Sequence, residues 1–194
     1  MSEKIGQIKG ESSVFFLCDV QEKFQPVIIH FDNIVQTCCK LLSAGKILEV
    51  PLLVTEQYPK GLGKTVPALD VAHARVVAEK TRFSMLVPEV DAVLEKLAPK
   101  VVVIMGVEAH VCVEQTATEL VQRGYTVHIV ADGVSSRSQE DRLLALQRLR
   151  QIGCFISTSE SIIFKLLGDK NHPKFAEVRG LVKQTSPDTG LAKI

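Results

Sequence analysis

Three residues able to do nucleophilic chemistry stand at related places in the chain. Cys112 follows an apolar run in "VVVIMGVEAHVCVEQTATEL", a few residues past a glycine and at the opening of a helical-looking segment. Asp19 closes the apolar run "SVFFLCD", and Lys80 closes "ARVVAEK". A free thiol, with a pKa of about 8.5, is only slightly ionised at neutral pH, so a nucleophilic cysteine needs a base or a cation beside it. Asp19 can serve as the base and Lys80 as the cation, and opposite charges a few ångströms apart hold each other ionised. The first turn of the helix adds unpaired N–H groups and a dipole that favour an anion, first the thiolate and then an oxyanion. Each residue also has an ordinary reading: a turn aspartate, a solvated lysine, a core cysteine. Their shared position after strands is what raises the catalytic one.

The elements that must position them alternate along the chain. "SVFFLCD", "VPLLVT", "ARVVAEK", "KVVVIMG", "YTVHIV" and "CFIST" read as strands. Between them "NIVQTCCKLLSAGKIL", "PEVDAVLEKLA", the segment from about Val111 to Arg123, and "SQEDRLLALQRLRQIG" carry apolar residues at helical spacing, and "ESIIFKLLG" reads as a final helix. Strands that are apolar throughout belong to a parallel sheet covered on both faces. The expected fold is α/β: a three-layer α/β/α, doubly wound (Rossmann-like) domain with a six-stranded parallel sheet. Residues 13–182 form this domain, with 1–12 as an N-terminal extension and 183–194 as a C-terminal tail. Ligands in such folds bind beyond the carboxyl ends of the strands, which gathers Asp19, Thr55–Lys64, Lys80 and Gly106–Cys112 on one rim.

Composition narrows the partners. The chain has 194 residues, 46% of them hydrophobic, and a net charge of +1. It is long enough for one well-buried core and has no charge bias toward nucleic acid or an anionic membrane. No long charge-free apolar segment reads as a membrane span, and "MSEKIGQIKGESS" lacks the apolar centre of a signal peptide, so the expected location is cytoplasmic. Cys18, Cys38, Cys39, Cys112 and Cys154 show no paired C-x-x-C spacing, which points to reduced thiols and no zinc site. All but Cys112 are expected to pack as small apolar residues. "YPKGLGKT" resembles the end of a phosphate-binding loop, but Tyr58 stands where its first glycine belongs and no long helix follows. His110, two positions from Cys112, would face elsewhere on a helix.

The chain resembles the isochorismatase-like cysteine hydrolases over about Val14 to Leu167. "FLCDVQEKF", "EKTRFS" and "GVEAHVC" carry the resemblance, and "TEQYPKGLG", "SSRS" and "STSES" bring it nearest to the eukaryotic isochorismatase domain-containing proteins. It implies a catalytic triad of Asp19, Lys80 and Cys112, a cis peptide at Val107–Glu108, and an oxyanion hole made by the backbone N–H groups of Glu108 and Cys112. It also makes Gln57, Tyr58 and Arg82 candidates for substrate binding, Arg82 suiting a carboxylate. Gln57 and Pro59 stand where nicotinamidases carry metal ligands. The resemblance therefore implies no metal or other cofactor here, and argues against nicotinamide as substrate.

The leading expectation is a metal-independent cysteine hydrolase acting through a thioester-type intermediate on a small-molecule amide or related C–N bond. Two alternatives stay open: an isochorismate-type enol-ether hydrolase, and a catalytically silent binding or interaction module of the same fold. A homo-oligomer is expected by resemblance. Glu108, beside the reactive centre, has no assigned role.

Overall fold

The computed structural model describes residues 5–191. Six strands form one sheet: β1 (Ser13–Cys18), β2 (Leu52–Gln57), β3 (Val76–Lys80), β4 (Val101–Val107), β5 (Thr126–Ser135) and β6 (Phe155–Ser157). All neighbouring pairs are parallel, in the order β3-β2-β1-β4-β5-β6. Successive residues of a central strand point to opposite faces and bury in different cores. Phe15 and Leu17 of β1 join one cluster, whereas Val14, Phe16 and Cys18 join the other.

The first cluster is closed by α1 (Phe31–Ile47), α6 (Ser159–Leu167) and α7 (Phe175–Leu181), through residues such as Ile34, Leu41, Ile162 and Val178. The second is closed by α3 (Pro88–Leu97), α4 (Glu114–Gln122) and α5 (Gln139–Gln151), through Val90, Leu94, Leu120 and Leu149. The result is a three-layer, doubly wound α/β/α sandwich. Every residue of β1 and of β4 is buried, which is why both read as unbroken apolar runs. β3, at the sheet edge, is only partly buried.

Several local features differ from the sequence expectation. The loop after β2 contains the single turn α2 (Pro59–Leu62), and β2 itself runs on to Gln57. β5 extends to Ser135, and its register against β4 jumps from Ile104–Ile129 to Gly106–Val134, so β5 bulges near its carboxyl end. Cys112 lies not in the first turn of an α-helix but in a wider π-helical turn, Ala109–Val113, that leads into α4. Such turns are frequent at functional sites. Cys39 is only partly buried, its thiol 3.2 Å from the Ala68 carbonyl.

The segment expected to be a tail is packed where it is described. Lys40 Nζ donates to the Gln184 carbonyl and to Ser186 Oγ, each at 3.1 Å. Thr189 is buried, and its carbonyl accepts from Gln139 and Arg142. The packed chain therefore continues beyond residue 182. The outermost residues of the expected extension and tail, 1–4 and 192–194, lie outside the described residues.

Candidate active site

The sheet order reverses direction between β1 and β4, and this switch point is where the carboxyl ends of two central strands open a crevice. β1 ends there in Cys18, paired with Gly106 of β4 and Thr55 of β2. The approach is close: a Cβ on Gly106 would collide with the Cys18 backbone, and its φ of 117° is one that only glycine adopts readily. The next residue, Asp19, turns the chain with a left-handed φ of 50°. An aspartate accepts that conformation better than most residues. Asp19 is fully buried, and Thr55 Oγ1 donates to its Oδ1 at 2.7 Å.

Lys80 meets the second carboxylate oxygen. Its Nζ lies 2.7 Å from Asp19 Oδ2, with both side chains inaccessible to solvent. The ammonium also donates to Gln57 Oε1 at 2.6 Å and to the Phe83 carbonyl at 2.9 Å, and stands 3.6 Å from Cys112 Sγ. Burial opposes the charge of Lys80, but the anionic or potentially anionic groups of Cys18, Asp19 and Cys112 outweigh it and raise its pKa above the ordinary lysine value. Lys80 therefore stays cationic. Cys18, Asp19 and Cys112 present donor atoms all within 4.8 Å of one another, a grouping that could hold a metal ion. Lys80 already supplies a cation to two of those donors.

Residues from neighbouring strand ends and from the turns beside the three build this shell. Gln57 and Lys80 are direct cross-strand partners at the ends of β2 and β3, and the Gln57 amide donates its Nε2–H to the Thr81 carbonyl at 2.8 Å. Both ends of that amide are thus engaged within the protein. Buried Gln21 latches the loop behind it, accepting from the Gln57 N–H and donating to the Gln57 and Gly63 carbonyls. The turn after Lys80 is tied to α4 on the other side. Ser84 Oγ and Arg82 Nη2 both donate to Glu119, and Thr116 Oγ1 accepts from the Met85 N–H while donating to the Cys112 carbonyl at 2.6 Å. One hydroxyl thus connects the Lys80 turn to the cysteine turn.

The remaining expected residues fall around this cluster. The Val107–Glu108 peptide is cis, and the Glu108 carbonyl accepts from the Val111 and Val113 N–H groups. The Glu108 carboxylate is mostly buried; its Oε2 accepts no hydrogen bond among the described residues and lies 3.6 Å from Arg137 Nε. His110 Nδ1 is 2.9 Å from Ser136 Oγ, which turns the ring to a different partner from Cys112. Arg82 is paired with Glu119, whereas Tyr58 is 55% exposed. Tyr58 lines a pocket of about 320 Å³ together with Pro59, Lys60, Glu79, Lys80 and Thr81. Cys112 itself is 4% exposed.

Sequence reasoning placed Thr55 only within the rim segment and assigned Gln57 to the substrate, because the bonds they make to Asp19 and Lys80 depend on strand register. Cys18 was missed, having been read as core. Its position directly before Asp19 was the available signal, since adjacent residues at a strand end cannot be far from one another's chemistry.

Fold and site together define a class: a doubly wound α/β protein with a carboxylate, an ammonium and a thiol gathered at its switch point. Residues 13–161 match the isochorismatase domain model, and the chain belongs to that family. It is 48% identical over 188 residues to isochorismatase domain-containing protein 1 of Danio rerio, covering 96% of this chain and 66% of that protein. The chain thus spans slightly less than two thirds of that relative's length. Human isochorismatase domain-containing protein 2 is 47% identical, with 96% of this chain and 91% of that protein covered. Among solved structures, the MAR1 ribonuclease of Caenorhabditis elegans superposes with a TM-score of 0.91 at 46% identity, covering 95% of this chain and 96% of that one. YcaC of Escherichia coli, described as an octameric hydrolase of unknown specificity, shares the fold at 20% identity, with a TM-score of 0.81 and coverage of 93% and 96%.

Proposed function

We propose that the protein is a metal-independent cysteine hydrolase acting on a small amide or related C–N bond. The observation that carries this reading is the buried Asp19–Lys80 pair, 2.7 Å apart, with Lys80 Nζ 3.6 Å from the Cys112 sulfur. A water-excluded ion pair is costly to maintain, and contact with a thiol gives it a chemical use.

In the proposed cycle Asp19 accepts the Cys112 thiol proton while Lys80 stabilises first the carboxylate and then the thiolate. The thiolate attacks the carbonyl carbon, and the backbone N–H groups of Glu108 and Cys112 receive the developing oxyanion. Asp19 then returns the proton to the leaving nitrogen. Water, deprotonated by Asp19, hydrolyses the thioester and frees Cys112. Gln57 acts in this scheme by holding Lys80, whereas Tyr58 and, after releasing Glu119, Arg82 contribute to substrate binding. The substrate is a small molecule, and a homo-oligomer is the expected assembly, measurable by light scattering.

The test is ammonia or amine release from a panel of small amides and imides, together with iodoacetamide labelling. Cys112 is expected to label faster than the other cysteines near neutral pH, and Cys112→Ala to abolish turnover. Equal labelling of all cysteines would sink the reading. RNA belongs in the same panel because of the name borne by the nematode relative, and isochorismate tests the enol-ether alternative by pyruvate release. If only RNA were cleaved, and equally well by Cys112→Ala, the thiol mechanism would fall.

A further inference from the structure

Cys18 is a second sulfur inside the site that the hydrolytic scheme does not use. It is fully buried at the end of β1, and its Sγ lies within 4.8 Å of Cys112 Sγ and 3.6 Å from Asp19 Oδ2. Among the described residues, no other cysteine joins this group. Cys38 lies in the core on the opposite face of the sheet, Cys39 is partly buried at the edge of that same core with its thiol against the Ala68 carbonyl, and Cys154 lies beside β6.

We infer that Cys18 and Cys112 form a reversible oxidation site for hydroperoxides, in which Cys18 traps oxidised Cys112 as an intramolecular disulfide and so protects the nucleophile while switching it off. This rests on the reading of Cys112 as the reactive thiol. The chemistry needs two unlike sulfurs, one attacking the oxidant and one kept in reserve.

The surroundings divide the roles. Cys112 touches the Lys80 ammonium and is the sulfur with some solvent exposure, where a hydroperoxide can reach it. Cys18 is held protonated: burial above all, then contact with Cys112 and the Asp19 charge, push its pKa well above the ordinary value, with Lys80 only partly offsetting them. In the first step the Cys112 thiolate attacks the outer oxygen of a hydroperoxide. The O–O bond breaks, Cys112 becomes a sulfenic acid, and the remaining alkoxide or hydroxide takes the Cys112 proton back from Asp19 and leaves as an alcohol or water. In the second step the Cys18 proton passes to Asp19, and the Cys18 sulfur attacks Cys112 Sγ. The S–O bond breaks, and hydroxide takes the proton back from Asp19 and leaves as water. Two thiols and one hydroperoxide thus give one disulfide, one alcohol and one water. Cys18 is fixed in the strand ladder by its pairing to Thr55 and Gly106, so the Ala109–Val113 turn supplies the movement that brings the sulfurs together.

The experiment uses the full reduced chain. Iodoacetamide labelling before oxidation tests the reading of Cys112. A parallel sample receives a small excess of hydrogen peroxide, is blocked with N-ethylmaleimide in denaturant, and is digested without reductant for mass spectrometry. A peptide joining Cys18 to Cys112 is expected, with loss of Cys112 labelling that dithiothreitol restores. In Cys18→Ser and Cys18→Ala the same treatment is expected to drive Cys112 to sulfinic or sulfonic acid, with little labelling restored. If reduced Cys112 labels selectively but Cys18 remains alkylatable after peroxide, the inference falls and the hydrolase reading stands. If Cys112 labels no faster than the other cysteines, both fall. The joined peptide is read in the natural sequence, so the outcome does not depend on either variant folding.

Discussion

Asp19 and Lys80 form an ion pair with neither side chain exposed, which is an expensive arrangement for a single contact. Removing one partner strands the other charge in the interior. Lys80→Met is expected to destabilise the fold by about 3–5 kcal/mol, read as a lower urea midpoint. The double variant Asp19→Asn with Lys80→Met is expected to recover part of that loss, because no buried charge is left unpaired. Iodoacetamide labelling of Cys112 is expected to slow in both, since each lacks the ammonium 3.6 Å from its sulfur. Recovered stability with slow labelling would separate the chemical value of the pair from its structural cost. Full-speed labelling without Lys80 would remove it from thiol activation.

At the scale of elements, the close approach of β1 and β4 is what brings a strand-end aspartate to the cysteine turn. Gly106→Ala is expected to cost more than about 1 kcal/mol, because alanine meets both an unfavourable φ and the Cys18 backbone. The readout is a fall in the melting temperature together with slower Cys112 labelling. β5 carries a different constraint. His128 is fully buried, stacks on Phe155 with ring centroids 5.0 Å apart, and among the described residues has neither ring nitrogen hydrogen-bonded. Burial, and then the Lys165 charge, lower its pKa to about 4. Above about pH 6.5 the ring is neutral in both folded and unfolded chains and contributes no pH dependence. As pH falls from there to about 4, the unfolded chain takes up the proton first, and stability drops by up to about 3 kcal/mol. His128→Phe is expected to flatten that part of the pH–stability curve. An unchanged acid limb would mean that the loss arises elsewhere.

Across the whole molecule, the last described segment closes the structure over the bulged end of β5. Arg142 is fully buried, and its guanidinium donates to the Ala131 and Val134 carbonyls within the bulge and to the Thr189 carbonyl of the C-terminal segment. Burial lowers its pKa to about 10, with Asp132 offsetting part of the effect, so the group remains charged at neutral pH and needs its acceptors. Truncation after residue 183 removes the Thr189 acceptor and both contacts of Lys40 in that segment. The expected effect is a loss of about 1–3 kcal/mol in urea unfolding, the cost of leaving a charged buried donor unsatisfied. A segment that merely trailed from residue 182 would give no change.

The strand runs, the alternation with helices and the residues Asp19, Lys80 and Cys112 were all legible in the sequence. Burial on both faces leaves unbroken apolar runs, and a polar residue ending such a run marks a strand's carboxyl end. Those rules are local, so they needed no coordinates. Which strand ends lie side by side depends on sheet order and register, which are properties of the closed fold. Only the tertiary structure pairs Gln57 with Lys80, sets Thr55 on Asp19, brings Cys18 up to Cys112, and packs the segment around Thr189 against Arg142. Glu108 divides the two: the sequence set its carboxylate beside the cysteine turn, and the fold turned it toward Arg137.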